Sequence, residues 1–215
     1  MKLVGIFSKN RYEWFVSDWA FALTGLTAVP LYDTLGHENL SYCLELTGVN
    51  TLLISSGTLP ALLRLDNIGS LKTLISFDSL DAEQIGKIKA RGLDYLEFWT
   101  LSAEGNKLPA TAEISVGFED CASFSFTSGT TGPPKGALLT HRNFLSCIAG
   151  FNNNTDLRFC STDTHLSYLP LPHMMERTLV WMFFYKGSKV VYIFCNLEFP
   201  VEMFSSLGTI VKQQK

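Results

Sequence analysis

The sequence lacks the features of disulfide-bonded, zinc-binding, nucleic-acid-binding and membrane-spanning proteins. Its five cysteines are an odd number and form no C-x-x-C pair, so neither a disulfide framework nor a structural zinc site is expected. We expect buried, reduced thiols in a cytosol-facing protein. Seventeen basic and twenty acidic residues give a net charge of −3, which excludes a broad basic surface for nucleic acid. The longest charge-free stretch of helical character, residues 19–32, is too short to cross a bilayer.

Apolar residues, in contrast, are abundant. They make up 47% of the 215 residues, and aromatic residues make up 13%. A chain of this composition can bury enough apolar surface to offset the entropy lost on folding. The length fits one globular domain or two small ones, and a disordered linker protein is excluded.

The first hundred residues alternate short apolar runs with helical patterns. Strands are predicted at residues 3–7, 27–31, 51–54, 71–76 and 95–98, and helices at 14–23, 37–46, 60–65 and 82–90. Asn10 is predicted to cap the first helix with Glu13 as its reciprocal partner, and Gly25 and Gly48 are predicted to end the first two helices. This alternation predicts an α/β fold with a mostly parallel sheet and helices on both faces.

The second half of the chain begins after a polar, aperiodic stretch. Residues 102–119 are interpreted as a surface connection, which divides the chain into a βα-repeat part (1–101) and a second part (120–215). In the second part, strands are predicted at 121–127, 166–169 and 190–194, and helices at 140–151, 174–185 and 199–211. The alternation in the first of these strands places Phe124 and Phe126 on one packed face.

The segment with the most chemical information is T-S-G-T-T-G-P-P-K-G, residues 127–136. Its three glycines allow positive φ angles, so the backbone N–H groups can turn inward as an anion-binding nest. Hydroxyl groups and the Lys135 ammonium would add donors and positive charge. A strand precedes the loop and a helix is predicted to follow it, which would put the loop at the carboxyl end of a sheet. A triphosphate fits this cradle, and the alternative is an ordinary surface turn.

This loop is not a Walker A motif, because Pro134 stands five positions after Gly129 and Gly136 follows Lys135. It resembles the signature phosphate loop of the adenylate-forming superfamily. In that superfamily the loop holds the ATP phosphates while a carboxylate attacks the α-phosphorus, which gives an acyl-adenylate and pyrophosphate.

Residues 10–14, 28–36 and 168–177 narrow the resemblance to long-chain fatty acyl-CoA synthetases. The likeness runs from Val4 to about Val191. It implies ATP-phosphate ligands at Thr127, Ser128, Gly129, Thr130, Thr131, Gly132, Lys135 and Gly136. It also implies that His173 lies near the adenylate and the acyl pocket, whereas the alternative for His173 is a helix cap.

Several other residues have an ordinary structural interpretation beside a functional one. Residues 180–185 could line an acyl channel, although such helical spacing is more often core. Glu176 and Arg177 are interpreted as a structural ion pair or a cap. The remaining histidines are dispersed and give no metal site.

The resemblance implies the reaction of fatty acid, ATP and CoA to acyl-CoA, AMP and pyrophosphate, with Mg²⁺ as cofactor. The chain opens on a strand pattern without a signal peptide, and the family's downstream Tyr-Gly-x-Thr-Glu and Thr-Gly-Asp motifs and C-terminal domain are missing from it. We therefore expect a partial AMP-binding domain, with no complete catalytic set and no turnover alone. The resemblance places the whole protein at the endoplasmic reticulum or the outer mitochondrial membrane, attached through segments absent here. The alternatives are a non-catalytic short form that binds acyl chain, nucleotide or a full-length partner, and an enzyme that adenylates another acid.

Overall fold

The structure is a computed structural model that describes residues 1–109, 114–127, 133–153 and 158–193. Within these ranges the chain forms nine strands and seven helices, which alternate except at one pair of consecutive strands. The elements are β1 (Leu3–Phe7), α1 (Tyr12–Thr24), β2 (Thr27–Leu31), α2 (His37–Thr47), β3 (Thr51–Ile54), α3 (Leu59–Leu63), β4 (Thr73–Ser76), α4 (Ala82–Ala90), β5 (Asp94–Glu97), α5 (Phe98–Gly105), β6 (Cys121–Thr127), β7 (Lys135–Thr140), α6 (His141–Asn153), β8 (Thr164–Ser167), α7 (Met174–Tyr185) and β9 (Lys189–Tyr192).

Seven strands form one sheet in the order β5-β4-β3-β1-β2-β6-β7. The first six strands of this order are parallel, and only β7, at the edge, runs antiparallel to its neighbour. Strands β8 and β9 pair in parallel as a separate ribbon. The predicted mostly parallel α/β fold is therefore confirmed.

Helices cover both faces of the sheet because successive strand side chains point to opposite sides. On β1, Phe7 belongs to a core cluster that includes Leu40 and Leu44 of α2, whereas the adjacent Ile6 belongs to a second cluster with Trp14 of α1. All five side chains are at most 1% exposed. The two clusters explain why β1–β3 read as continuous apolar runs rather than alternating ones.

The glycine stops of the first two helices are confirmed. Gly25 has φ 66° and its N–H donates to the Phe21 carbonyl, and Gly48 has φ 60° and donates to the Leu44 carbonyl. Both residues take the left-handed conformation that glycine adopts without a steric penalty.

The predicted cap of the first helix is wrong. Helix α1 begins at Tyr12 with Arg11 as its N-cap residue, and no side chain makes a capping hydrogen bond there. Glu13 instead accepts hydrogen bonds from Arg11. Asn10 is 6% exposed and bonds to a segment more than 150 residues away in sequence. The Asn10 side chain, which the local pattern assigned to the helix end, instead forms its hydrogen bonds with a distant part of the chain.

Two further predictions need correction. The polar stretch after β5 starts with helix α5, which extends through Gly105 into the predicted connection. Of the four cysteines in the described ranges only Cys43 is buried, whereas Cys147 and Cys160 are exposed. The predicted helix at 199–211 lies outside the described residues. No helix in the described ranges is long and apolar enough to cross a membrane.

Candidate functional site

The predicted phosphate loop connects the two strands of an antiparallel hairpin. The strand pair next to the loop is Thr127 of β6 with Lys135 of β7. The Thr127 hydroxyl donates to the Lys135 carbonyl at 3.2 Å. The helix predicted at 140–151 is confirmed as α6, which begins at His141, but strand β7, between the loop and this helix, was not predicted. Strand β7 was not predicted because its sequence, K-G-A-L-L-T, shows no clear alternation of apolar and polar residues.

The two ends of the loop are exposed, and its centre is not described. Thr127 and Lys135 are both exposed, so their hydroxyl and ammonium groups are accessible from solvent. Five predicted phosphate ligands lie outside the described residues: Ser128, Gly129, Thr130, Thr131 and Gly132.

Gly136 has a packing role that the sequence did not predict. It is a strand residue and is not among the described glycines with positive φ. A Cβ atom at this position would lie 2.2 Å from Cε1 of the Phe124 ring. Phe124 in turn packs 5.3 Å from the ring of Phe126. The missing side chain therefore makes room for an aromatic ring, and the predicted positive φ is wrong for this glycine.

His173 caps helix α7. Its Nδ1 accepts a hydrogen bond from the Met175 amide at 3.3 Å, and its side chain is exposed. This hydrogen bond confirms the interpretation of His173 as the N-cap of a helix. A role beside the adenylate stays a prediction.

Strand β6 and the start of α7 contact each other below the loop. The Ser125 hydroxyl, two residues before Thr127, lies 3.7 Å from the sulfur of Met174, which directly follows His173. The contact therefore lies two residues from Thr127 and one residue from His173, although Thr127 and His173 are 46 residues apart in the numbering.

Asn10 holds the segment that leads to His173. Its side-chain nitrogen donates to the Leu169 carbonyl at 2.6 Å and to the Ser167 hydroxyl at 3.1 Å, and its oxygen accepts from the Leu171 amide at 2.7 Å. All three partners lie within the stretch from the end of β8 to the start of α7. Because Asn10 is buried, these bonds are sheltered from competition with water.

A buried charge network joins α7 to α1 and β6, which the sequence did not predict. Arg177 pairs with Asp18 of α1 and donates to the Ser123 hydroxyl of β6 at 2.7 Å. Glu176, its neighbour, binds instead to Nε2 of His165 at 2.8 Å. The expected Glu176–Arg177 pair is therefore wrong. The available signal was Asp18, a carboxylate in the largely apolar body of α1 (residues 14–23), which needs a partner when it is buried.

The aromatic run on α7 is core only in its first part. Val180 and Met182 are fully buried and Phe183 is 7% exposed, as the core interpretation predicted, whereas Phe184 and Tyr185 are 47% and 68% exposed. One cavity of about 80 Å³ lies between α1, α6 and α7, with Phe144 and Trp181 among its lining residues. This volume is small beside the roughly 300–1,000 Å³ of typical ligand pockets, so the described residues do not form a long acyl channel here.

His141, an ionisable residue that lines this cavity, is perturbed by burial. Burial lowers the pKa of His141, and the nearby Arg177 charge lowers it further, while Asp120 and Asp18 oppose the change. His141 is therefore neutral at pH 7. In the described ranges no group of three or more His, Cys, Asp and Glu side chains could hold a metal ion.

Comparison with known proteins identifies the family. A sequence profile described as AMP-binding enzyme matches residues 2–208. The chain belongs to the AMP-binding enzyme family. Its resemblance to long-chain fatty acyl-CoA synthetases is also confirmed. It is 34% identical to fatty acyl-CoA synthetase B of Dictyostelium discoideum, and 35% identical to long-chain-fatty-acid–CoA ligase 5 of Rattus norvegicus. These alignments cover 87% and 88% of this chain but only 28% of each relative.

Solved structures of AMP-binding enzymes share the fold. The A domain of a carboxylic acid reductase from Segniliparus rugosus, in complex with AMP and a co-purified carboxylic acid, superimposes with a TM-score of 0.73 at 20% identity, over 89% of this chain and 33% of that one. A fatty acyl CoA synthetase of Mycobacterium tuberculosis gives 0.68 at 20% identity, over 89% and 34%. At this identity the likeness establishes the adenylate-forming fold alone.

Proposed function

We propose that this chain carries the ATP-phosphate-binding part of a long-chain fatty acid–CoA ligase. The complete reaction would convert fatty acid, ATP and CoA into acyl-CoA, AMP and pyrophosphate through an acyl-adenylate. The observation that supports this proposal most directly is the contact between Ser125 and Met174. This contact lies two residues before Thr127 and one residue after His173, and so supports a single site that joins a nucleotide to a carboxylate.

The loop residues would act mainly by electrostatic attraction. Lys135 is exposed at the end of the hairpin, where its ammonium group can reach a polyphosphate and neutralise part of its charge. The hydroxyls of Thr127, Ser128, Thr130 and Thr131 and the amides of Gly129, Gly132 and Gly136 would donate the remaining hydrogen bonds. His173 would contact the adenylate or the mouth of the acyl pocket.

Mg²⁺ enters this proposal only as part of the MgATP substrate. The described residues contain no cluster that fits a resident metal ion, and no step of the reaction is assigned to one. Because the family resemblance implies no complete catalytic set in this chain, we expect the 215 residues to bind MgATP without fatty-acid-dependent ATP–pyrophosphate exchange.

Binding of MgATP by the isolated chain tests the proposal. Calorimetric titration should show saturable binding that Lys135→Ala weakens by about tenfold, which corresponds to the loss of one charge-assisted contact. Lys72→Ala is the matched control, because Lys72 is also exposed but precedes β4 at the amino end of the parallel strands. Equal affinities of the two variants, or no binding by the wild type, would contradict the proposal.

The exchange assay separates binding from turnover. Exchange above the level of a chain carrying both Lys135→Ala and Thr131→Ala would show that the 215 residues are active alone. Saturable binding without exchange is the expected result.

A further inference from the structure

Arg177 connects four elements of the fold through one buried guanidinium group. The side chain is 2% exposed. Its Nε donates to Oδ2 of Asp18 on α1 at 2.8 Å, its Nη2 donates to the other oxygen of the same carboxylate, and its Nη1 donates to the Ser123 hydroxyl of β6 at 2.7 Å. The group also lies over the rings of Trp14 and Phe144, 5.6 and 4.9 Å from their centroids.

Ser123 is the point where β6 joins the parallel sheet. In the described ladder between β2 and β6, Ala28 and Ser123 are the paired residues. The Ser123 hydroxyl also lies 3.3 Å from the Ala28 carbonyl and 2.9 Å from the hydroxyl of Ser125. Because a hydroxyl has one proton and two lone pairs, accepting from Arg177 leaves its proton free to bond to Ala28 or Ser125. Arg177 thus orders a hydroxyl that can bond β6 to β2, beside the bond from the Thr27 hydroxyl to the Cys121 carbonyl at 2.7 Å.

The same arginine also belongs to the helical turn that carries His173. The Arg177 amide donates to the His173 carbonyl at 3.1 Å, so the two residues are one turn apart on α7. Four residues beyond Ser123, β6 ends at Thr127 and the predicted phosphate loop begins. The Arg177 side chain therefore contacts β6, the strand that leads to the loop. The Arg177 backbone amide bonds to His173 in the first turn of α7.

A gain in stability alone is a weak reason for this arrangement. A buried ion pair loses much of its attraction to desolvation, and well-packed apolar residues in its place are often as stable or more so. Buried polar groups are best attested where they fix the relative placement of elements. The position of the Arg177 network, between β6 and the start of α7, matches that use.

We propose that Arg177 is a positioning residue for MgATP binding. Through Ser123 it fixes strand β6, which ends at the start of the predicted phosphate loop, relative to the turn that carries His173. This inference rests on the proposed function, because it assumes that the loop binds the ATP phosphates.

Ser123→Ala tests the inference without leaving a buried charge unpaired, because the Arg177–Asp18 pair remains. Ser17→Ala is the matched control: Ser17 is also a buried serine, 3% exposed, but its hydroxyl bonds within α1 to the Glu13 carbonyl. Each variant of the 215-residue chain loses one buried hydroxyl, and Ser123→Ala should lower the melting temperature more than Ser17→Ala because it also leaves Nη1 of Arg177 without its acceptor. MgATP affinity should fall at least about fivefold for Ser123→Ala, and less than twofold for Ser17→Ala.

Amide hydrogen exchange without nucleotide provides a second, independent readout. Ser123→Ala should speed exchange in the β6–β7 hairpin and leave β1–β5 unchanged, whereas Ser17→Ala should leave the hairpin unchanged. If the wild type does not bind MgATP, the proposed function is wrong for this chain, and hairpin exchange alone decides the positioning of β6. Equal MgATP affinities of the two variants, or hairpin exchange at the wild-type rate in Ser123→Ala, would overturn the inference.

Discussion

A methyl group at position 136 should destabilise the hairpin that holds the phosphate loop. In the native structure, a Cβ at Gly136 would meet the Phe124 ring at 2.2 Å, whereas ordinary contacts begin near 3.4 Å. The ring or strand β7 would have to move by about 1 Å. Overpacking of this kind typically costs about 1–3 kcal/mol, and we expect Gly136→Ala to reduce the free energy of unfolding by about 2 kcal/mol.

Urea unfolding followed by circular dichroism measures this change. Gly150→Ala is the matched control, since Gly150 lies in helix α6 and a Cβ there meets nothing within 4 Å. Alanine at that position should raise stability by up to about 1 kcal/mol, because it favours the helix more than glycine does. The two glycine-to-alanine changes should therefore have opposite signs.

A double-mutant cycle identifies the ring as the cause. Phe124→Leu shortens the side chain that the new methyl group would meet, so Gly136→Ala should cost less in that background by about 1 kcal/mol or more. An equal cost of Gly136→Ala with and without Phe124 would refute the packing explanation, and so would a Gly136→Ala chain as stable as the wild type.

The remaining predictions concern charge and thiol chemistry. Arg177→Met should cost about 3–5 kcal/mol in urea unfolding because it leaves a buried carboxylate unpaired, whereas Arg142→Met, which breaks an exposed pair, should cost at most about 1 kcal/mol; equal costs would contradict this. Burial alone would raise the pKa of Asp78. Hydrogen bonds from the Ser56 backbone amide and from Arg11 instead hold this pKa below its ordinary value. Its stabilising contribution should be present above about pH 4 and be lost as the pH falls through its lowered pKa, and Arg11→Met should flatten that acid limb of a stability–pH curve. Burial raises the pKa of Cys43 to about 12, so mass spectrometry after a maleimide pulse at pH 7 should find this thiol unlabelled while the exposed cysteines react, and early labelling would show that the site opens.

Local chemistry was sufficient to predict most of the parallel sheet. Glycine stops at Gly25 and Gly48 and apolar runs such as Thr51–Ile54 depend on neighbours in sequence, and the structure has them where the pattern placed them. Strand β7 could not be predicted this way, because its pairing partner β6 lies across the loop and its own residues do not alternate. An exposed edge strand also needs fewer apolar residues than a central strand that is buried on both faces.

Long-range polar contacts escaped prediction for a different reason. Asparagine is a common helix-capping residue, and nothing near Asn10 in the sequence shows that its side-chain amide will hydrogen-bond to the backbone of Leu169 and Leu171. Asp18 and Arg177 are likewise 159 positions apart. Residue type shows that such a buried group needs a partner, but the topology of the sheet decides which partner it meets.

The central claim is that the hairpin loop between β6 and β7 binds the ATP phosphates beside His173. Amide hydrogen exchange of the 215-residue chain with and without MgATP tests it most directly. If the loop binds the ATP phosphates, MgATP should slow exchange in peptides that cover residues 127–136 and the first turn of α7, with no change in β3–β5. Unchanged exchange in both regions at saturating MgATP, or protection confined to another part of the chain, would contradict it.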